Sequence, residues 1–142
     1  MAYIDETDLL TRMTETELVQ CTNDDGTGDV DADVLAGILT ETDALVDSYV
    51  GVRHGVPIES PSNLTKDIAK SIAVYKLLSR RGLAPEHVEK NYDDAIRLLR
   101  RIGEGKAAFS DAALLQPHGS RVTGVRTEAK PRVFNDDDME GF

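Results

Sequence analysis

The sequence predicts an all-α protein: a small bundle of about three long and two short helices, followed by an extended C-terminal tail. Three observations point there. Apolar residues recur four and seven positions apart along three stretches between residues 31 and 102, the spacing of one helical face. Segments rich in glycine and proline separate those stretches, and such residues end helices. The chain has 142 residues and is 40% hydrophobic, and a domain of that size buries roughly 70% of its unfolded surface.

The elements follow in order. Thr7 is placed to cap a first turn carrying Leu9, Leu10 and Met13. Thr14-Glu15-Thr16-Glu17 fits a capping box, in which Thr14 and Glu17 satisfy each other's free amides ahead of Leu18 and Val19. The polar loop Asn23-Asp24-Asp25-Gly26-Thr27-Gly28-Asp29 comes next. A long helix is expected from about Asp31 to Tyr49, with Val34, Ile38, Leu45 and Tyr49 as its stripe and Leu35, Leu39 and Val46 beside it. Asp31 and Asp33 favour the positive end of its dipole.

The stretch from Gly51 to Pro61 breaks that helix with two prolines and two glycines. A second long helix is expected from about Ser62 to Arg81, with Leu64, Ile68, Ile72, Tyr75 and Leu78 as its stripe. Arg80-Arg81-Gly82 ends it, cations on the last turn and glycine after it. Pro85 suits the first turn of a third long helix reaching about Ile102. Its buried face reads Val88, Tyr92, Ala95, Ile96, Leu99 and Ile102.

The composition changes after Gly103. We divide the chain into a helical domain at 1–106 and an arm at 107–142 for subunit or partner contacts. Within the arm, Ser120 to Thr127 reads as extended, and Arg132, Val133, Phe134, Met139 and Phe142 stand on an acidic end. Those apolar groups cannot bury one another within so short a segment. They are expected to fold onto a partner, with the chain's own bundle as the competing acceptor.

Charge is unevenly distributed. The net charge of −10 divides into −12 over residues 1–50, +4 over 51–110 and −2 over 111–142. Regions of opposite sign favour head-to-tail self-association or a defined partner, although solvated charges alone would give the same arithmetic. So acidic a surface disfavours sequence-general binding of nucleic acid. The single cysteine, Cys21, excludes an intramolecular disulfide framework and a multi-cysteine zinc site. No apolar run approaches the roughly 20 residues needed to cross a bilayer, and Met1 to Leu10 lacks the layout of a signal peptide. A soluble intracellular protein is the expectation.

Candidate sites are few. Asn23, Asp25, Thr27, Gly28 and Asp31 fall at calcium-loop positions, but Val34 stands where a bidentate glutamate belongs. The competing reading is an Asx-rich turn leading into a helix. Arg97, Arg100 and Arg101 on the third long helix are candidate partner-binding residues, with Lys90 a little earlier. They also serve the helix itself, through Glu86–Lys90 and Asp93–Arg97 spacings and the negative end of the dipole. His54, His87 and His118 share no metal-binding face, and Cys21 reads as a packed residue. Gly103-Glu104-Gly105-Lys106 follows a helix where a phosphate loop would open one. No catalytic residue, metal ligand or cofactor is expected, and the chain is not expected to be an enzyme.

The whole layout resembles a family of small proteins of Mu-like prophages and tailed phages. The residues that carry the resemblance are Met1-Ala2-Tyr3-Ile4 with Asp8-Leu9-Leu10, and the Asx/Gly loop before a long helix. Asp47-Ser48-Tyr49-Val50, and Pro57 and Pro61 ahead of Leu64 and Asp67-Ile68-Ala69, continue it. Tyr92-Asp93-Asp94-Ala95 to Leu98-Leu99, and Pro131-Arg132-Val133-Phe134 to Gly141-Phe142, complete it.

Members are regarded as head–tail connector proteins, also called adaptor or head-completion proteins. The resemblance implies a homo-oligomeric, dodecameric ring beneath the portal at the capsid vertex. Such a ring joins the portal to the next connector or tail protein and lines the path of packaged DNA, without binding its sequence. It implies a virion protein made in the host bacterial cytoplasm, with no membrane partner and no chemistry. The alternative from the residues alone is a calcium-responsive helical binding module built on the Asn23–Asp31 loop.

Overall fold

The computed structural model describes residues 2–107, and these form five α-helices. They are α1 (Glu6–Leu9), α2 (Glu15–Thr22), α3 (Ala32–Val50), α4 (Asn63–Arg80) and α5 (Glu86–Gly103). The described residues contain no strand. The arm lies outside the described residues from residue 108 onward, and with it the extended Ser120–Thr127 segment.

α4 is the axis of the bundle and packs against all four other helices. Its sequence accounts for this, because small and aliphatic residues go most of the way around it. Thr65, Ile68, Ala69, Ile72, Ala73, Val74 and Leu77 are all buried. The stripe read from the sequence was therefore rotated. Leu64 is exposed and Tyr75 and Leu78 are only half-buried, while Leu77 is fully enclosed. A single stripe describes a helix with one neighbour, and α4 has several.

The same correction applies more weakly to its partners. α3 buries Leu35, Thr42, Val46 and Val50, and Val34, Ile38, Leu45 and Tyr49 flank them half-buried. α5 buries Val88, Ala95, Leu99 and Ile102, with Tyr92 and Ile96 at the edge. Tyr92 stacks on Tyr75 of α4, with ring centroids 4.1 Å apart and an interplanar angle of 19°.

Caps fix the helix ends. Thr14 and Glu17 form the expected capping box on α2. α1 is capped by Asp5 rather than Thr7: Asp5 accepts the Asp8 amide at 2.8 Å, and Asp8 returns the bond at 3.2 Å. With a single turn of helix, Thr7 lies inside it. Asp31 caps α3 and Ser62 caps α4, whereas Pro85 stands at the N-cap of α5 rather than in its first turn.

α4 and α5 end alike. The Leu83 amide bonds Leu78 O and the Gly82 amide bonds Ser79 O, with Gly82 at φ 66°. Lys106 and Gly105 repeat the pattern on Arg101 and Ile102, with Gly105 at φ 75°. This is the Schellman arrangement, whose left-handed position glycine accepts without strain.

Two further features hold the bundle together. Tyr3 and Ile4, ahead of α1, are buried in the core. The Tyr3 amide donates to Asp43 at 3.1 Å, its hydroxyl donates to Asp47, and that hydroxyl accepts the Ile58 amide at 3.0 Å. One side chain thus ties the N-terminus and the 51–61 loop to α3. At the other end of the bundle, Arg80 and Arg81 donate to the carbonyls of Cys21, Gln20 and Asn23 at 2.9–3.0 Å. α2 has no cation in its own last turn, so the end of α4 supplies the charge its dipole favours.

Candidate partner-binding surface

The candidate surface is the outward face of α5. Its inward face is apolar, and Glu86, Glu89, Lys90, Asp93, Asp94, Arg97, Arg100 and Arg101 all point to solvent. Acidic residues occupy the first turn and Arg100 and Arg101 the last, each at the helix end whose dipole favours it. The outer face is therefore polarised along its length, acidic toward Pro85 and basic toward Gly103.

The pairing on this face differs from the spacing expected. Arg97 bonds Asp94 at 3.2 Å, one turn back at i,i+3, and not Asp93. No ion pair among the described residues engages Lys90, Arg100 or Arg101. Just beyond the helix, Lys106 bonds Glu104 at 2.8 Å. That bond holds the Glu104 carboxyl below its usual range, with Arg100 adding to the effect.

The cations of α4 are placed otherwise. Lys66 pairs with Asp8 at 3.8 Å and Lys76 with Glu41 at 3.1 Å, while Arg80 and Arg81 both grip Asp24. Part of the charge segregation along the sequence is thus compensated inside the chain, between α4 and the acidic first fifty residues. The arginines of α5 are left facing outward. Sequence spacing alone does not separate these two groups of cations, because the partners of the α4 group lie 35 to 58 residues away.

The other candidate residues are as follows. Arg132, Val133, Phe134, Met139 and Phe142 lie outside the described residues, as does His118. His54 lies in the 51–61 loop, and His87 stands exposed on the first turn of α5. Cys21 is buried, and burial pushes its thiol up, away from the reactive thiolate.

The Asn23 loop is folded as an Asx turn. Asn23 Oδ1 accepts the amides of Asp25, Gly26 and Thr27 at 3.1, 2.7 and 3.3 Å. Asp24 is committed to the two arginines, whose hydrogen bonds hold its carboxyl below the usual range. No group of three or more metal-ligating side chains occurs among the described residues. Among those residues, no helix is long and apolar enough to cross a membrane.

A concave feature on α3 is not legible in the sequence. A groove of about 500 Å³ runs along the outer side of α3, between the N-terminal residues and Pro57. Asp43 and Asp47, the two carboxylates that hold Tyr3, stand in its wall. Burial pushes the Asp43 carboxyl up, with Asp47 adding repulsion. Their four-residue spacing puts them on one face, but nothing in that spacing reveals that Tyr3 and Pro57 close around them.

Residues 3–124 match the family described as Bacteriophage Mu, Gp36. The chain belongs to that family. Membership makes it a protein of Mu-like phages and supports a structural part in the phage particle, in agreement with the resemblance carried by its residues. The match spans all five helices of the Gp36-family chain and extends into the arm. No curated protein matches it.

Proposed function

We propose that this Gp36-family chain is a head–tail connector. It forms a ring between the portal and the tail or next connector protein at the capsid vertex, and lines the channel through which the genome passes. The observation that carries the proposal is the outer face of α5, which presents Arg100 and Arg101 to solvent with no ion pair among the described residues, on a chain whose first fifty residues are strongly acidic. A cationic helix face of this kind favours an acidic protein surface, in a neighbouring copy or in the portal.

In this reading the protein performs no chemistry and needs no cofactor or membrane. Its arm supplies Arg132, Val133, Phe134, Met139 and Phe142 as contacts to a neighbour. The ring is twelvefold, matching a dodecameric portal. The acidic first fifty residues leave any channel wall they form repulsive to phosphate, so that DNA slides along it without adhering.

The test is co-sedimentation of the purified protein with portal-bearing, tail-less heads, comparing the full chain with a version ending at Lys130. Binding of the full chain to heads that carry a portal, and not to heads that lack one, is the expected result, with truncation weakening it. Equal binding to both kinds of head, or to neither, contradicts the proposal.

A further inference from the structure

We propose that the groove on α3 of one copy receives the basic half of α5 from the next copy, so that the ring closes through an α3–α5 contact between different chains. This rests on the connector reading and names the surfaces that mate within it.

The two surfaces complement each other in charge. α3 carries Asp33, Glu41, Asp43 and Asp47 and no basic residue. Glu41 is taken up by Lys76, whereas no lysine or arginine of the described residues pairs with Asp43 or Asp47. Both carboxylates line the groove, together with Leu39, Thr40, Ala44 and Pro57. An arginine suits such a site, because its aliphatic stem packs on apolar walls while its planar guanidinium reaches a carboxylate. α5 offers three arginines within five consecutive positions, 97 to 101, all exposed.

The topology then decides the type of contact. The wall of the groove contains no residue of α5, so the chain does not fill its own groove with its own arginines there. Groove and basic face are different surfaces on one molecule, and where each chain gives its basic face to one neighbour and takes that of another into its groove, their union is heterologous. Each added copy leaves one groove and one basic face open, and the series ends when the rotation closes a ring. A self-complementary contact would stop at a dimer.

The experiment uses cysteine pairs on the full chain. Ala44, Arg97, Arg100 and Arg101 are exposed, and the chain's own Cys21 is buried and does not compete. Ala44→Cys protein is mixed with Arg97→Cys, Arg100→Cys or Arg101→Cys protein, bound to portal-bearing heads and treated with a short bis-maleimide. The expected result is a cross-linked pair joining the α3 cysteine of one copy to an α5 cysteine of another. Neither parent alone is expected to give such a pair. In parallel, Ala44→Arg brings a cation into the groove and is expected to abolish ring formation, while Ala44→Ser keeps it.

Rings without the mixed cross-link, or α5 cysteines joined only to the portal, overturn the α3–α5 contact and leave the connector reading standing. Rings formed equally well by Ala44→Arg also overturn it. Absence of any ring on heads with an intact portal removes the connector reading, and this contact with it.

Discussion

Asp24 is held by two guanidinium groups from the end of α4, and the same two arginines cap the carbonyls of α2. Replacing Asp24 by asparagine removes the charge that gathers them while keeping the size of the side chain. We expect a lower Tm at neutral pH. Because the Asp24 carboxyl is depressed in the folded protein, its stabilisation is full above the ordinary value of 3.8 and fades as the pH falls below it. Thermal melts at descending pH are therefore expected to show wild type and Asp24→Asn converging in acid. A gap that stays constant with pH would contradict this. Tyr3→Phe deletes the hydroxyl that joins Asp47 to the Ile58 amide, and should cost roughly 1–2 kcal/mol by denaturant unfolding. Residue-scale features differ in how legible they are. The Thr14–Glu17 box can be read from four adjacent letters. Asp24 and Tyr3 cannot, because their partners are brought to them only by the folded chain.

At the scale of elements, helix existence and helix ends follow from periodicity and capping chemistry, and the long helices begin and end within a residue or so of where the sequence places them. Which residues face inward is less legible, since it depends on how many neighbours a helix has. α4 separates the two questions. Leu77→Ala empties a fully buried site and should cost about 2–5 kcal/mol, whereas Leu78→Ala, on the half-buried side read as the stripe, should cost less. Denaturant unfolding of the two variants checks the order. The end of α5 gives a second case. A β-carbon on Gly103 would stand 2.8 Å from the Tyr49 carbonyl oxygen of α3. Gly103→Ala should therefore destabilise by about 1–3 kcal/mol through overpacking, despite alanine's better helix propensity. A stabilised Gly103→Ala protein would show that α3 and α5 do not approach so closely.

At the scale of the whole molecule, folding and assembly rest on different residues. The basic half of α5 makes no ion pair to another helix among the described residues, and Arg100 and Arg101 act there only through the helix dipole and the nearby Glu104. The double variant Arg100→Gln/Arg101→Gln is thus expected to unfold within about 2 kcal/mol of wild type, the sum of two helix-dipole effects. The same variant should lose binding to portal-bearing heads. A protein that binds normally would remove α5 from the interface, and one that fails to fold would show that these arginines support the bundle after all. The fold class was legible in composition and spacing. The division of cations between internal pairs on α4 and an open face on α5 was not, because charge arithmetic along a chain does not say which charges meet in space.

Electron cryo-microscopy of intact phage particles shows whether this bundle forms part of the capsid vertex. The expected result is density for the five-helix bundle repeated around the channel axis between portal and tail, with α3 of each copy facing α5 of its neighbour. Density for the bundle elsewhere in the particle, or a vertex in which the portal meets the tail with no such ring between them, would contradict it.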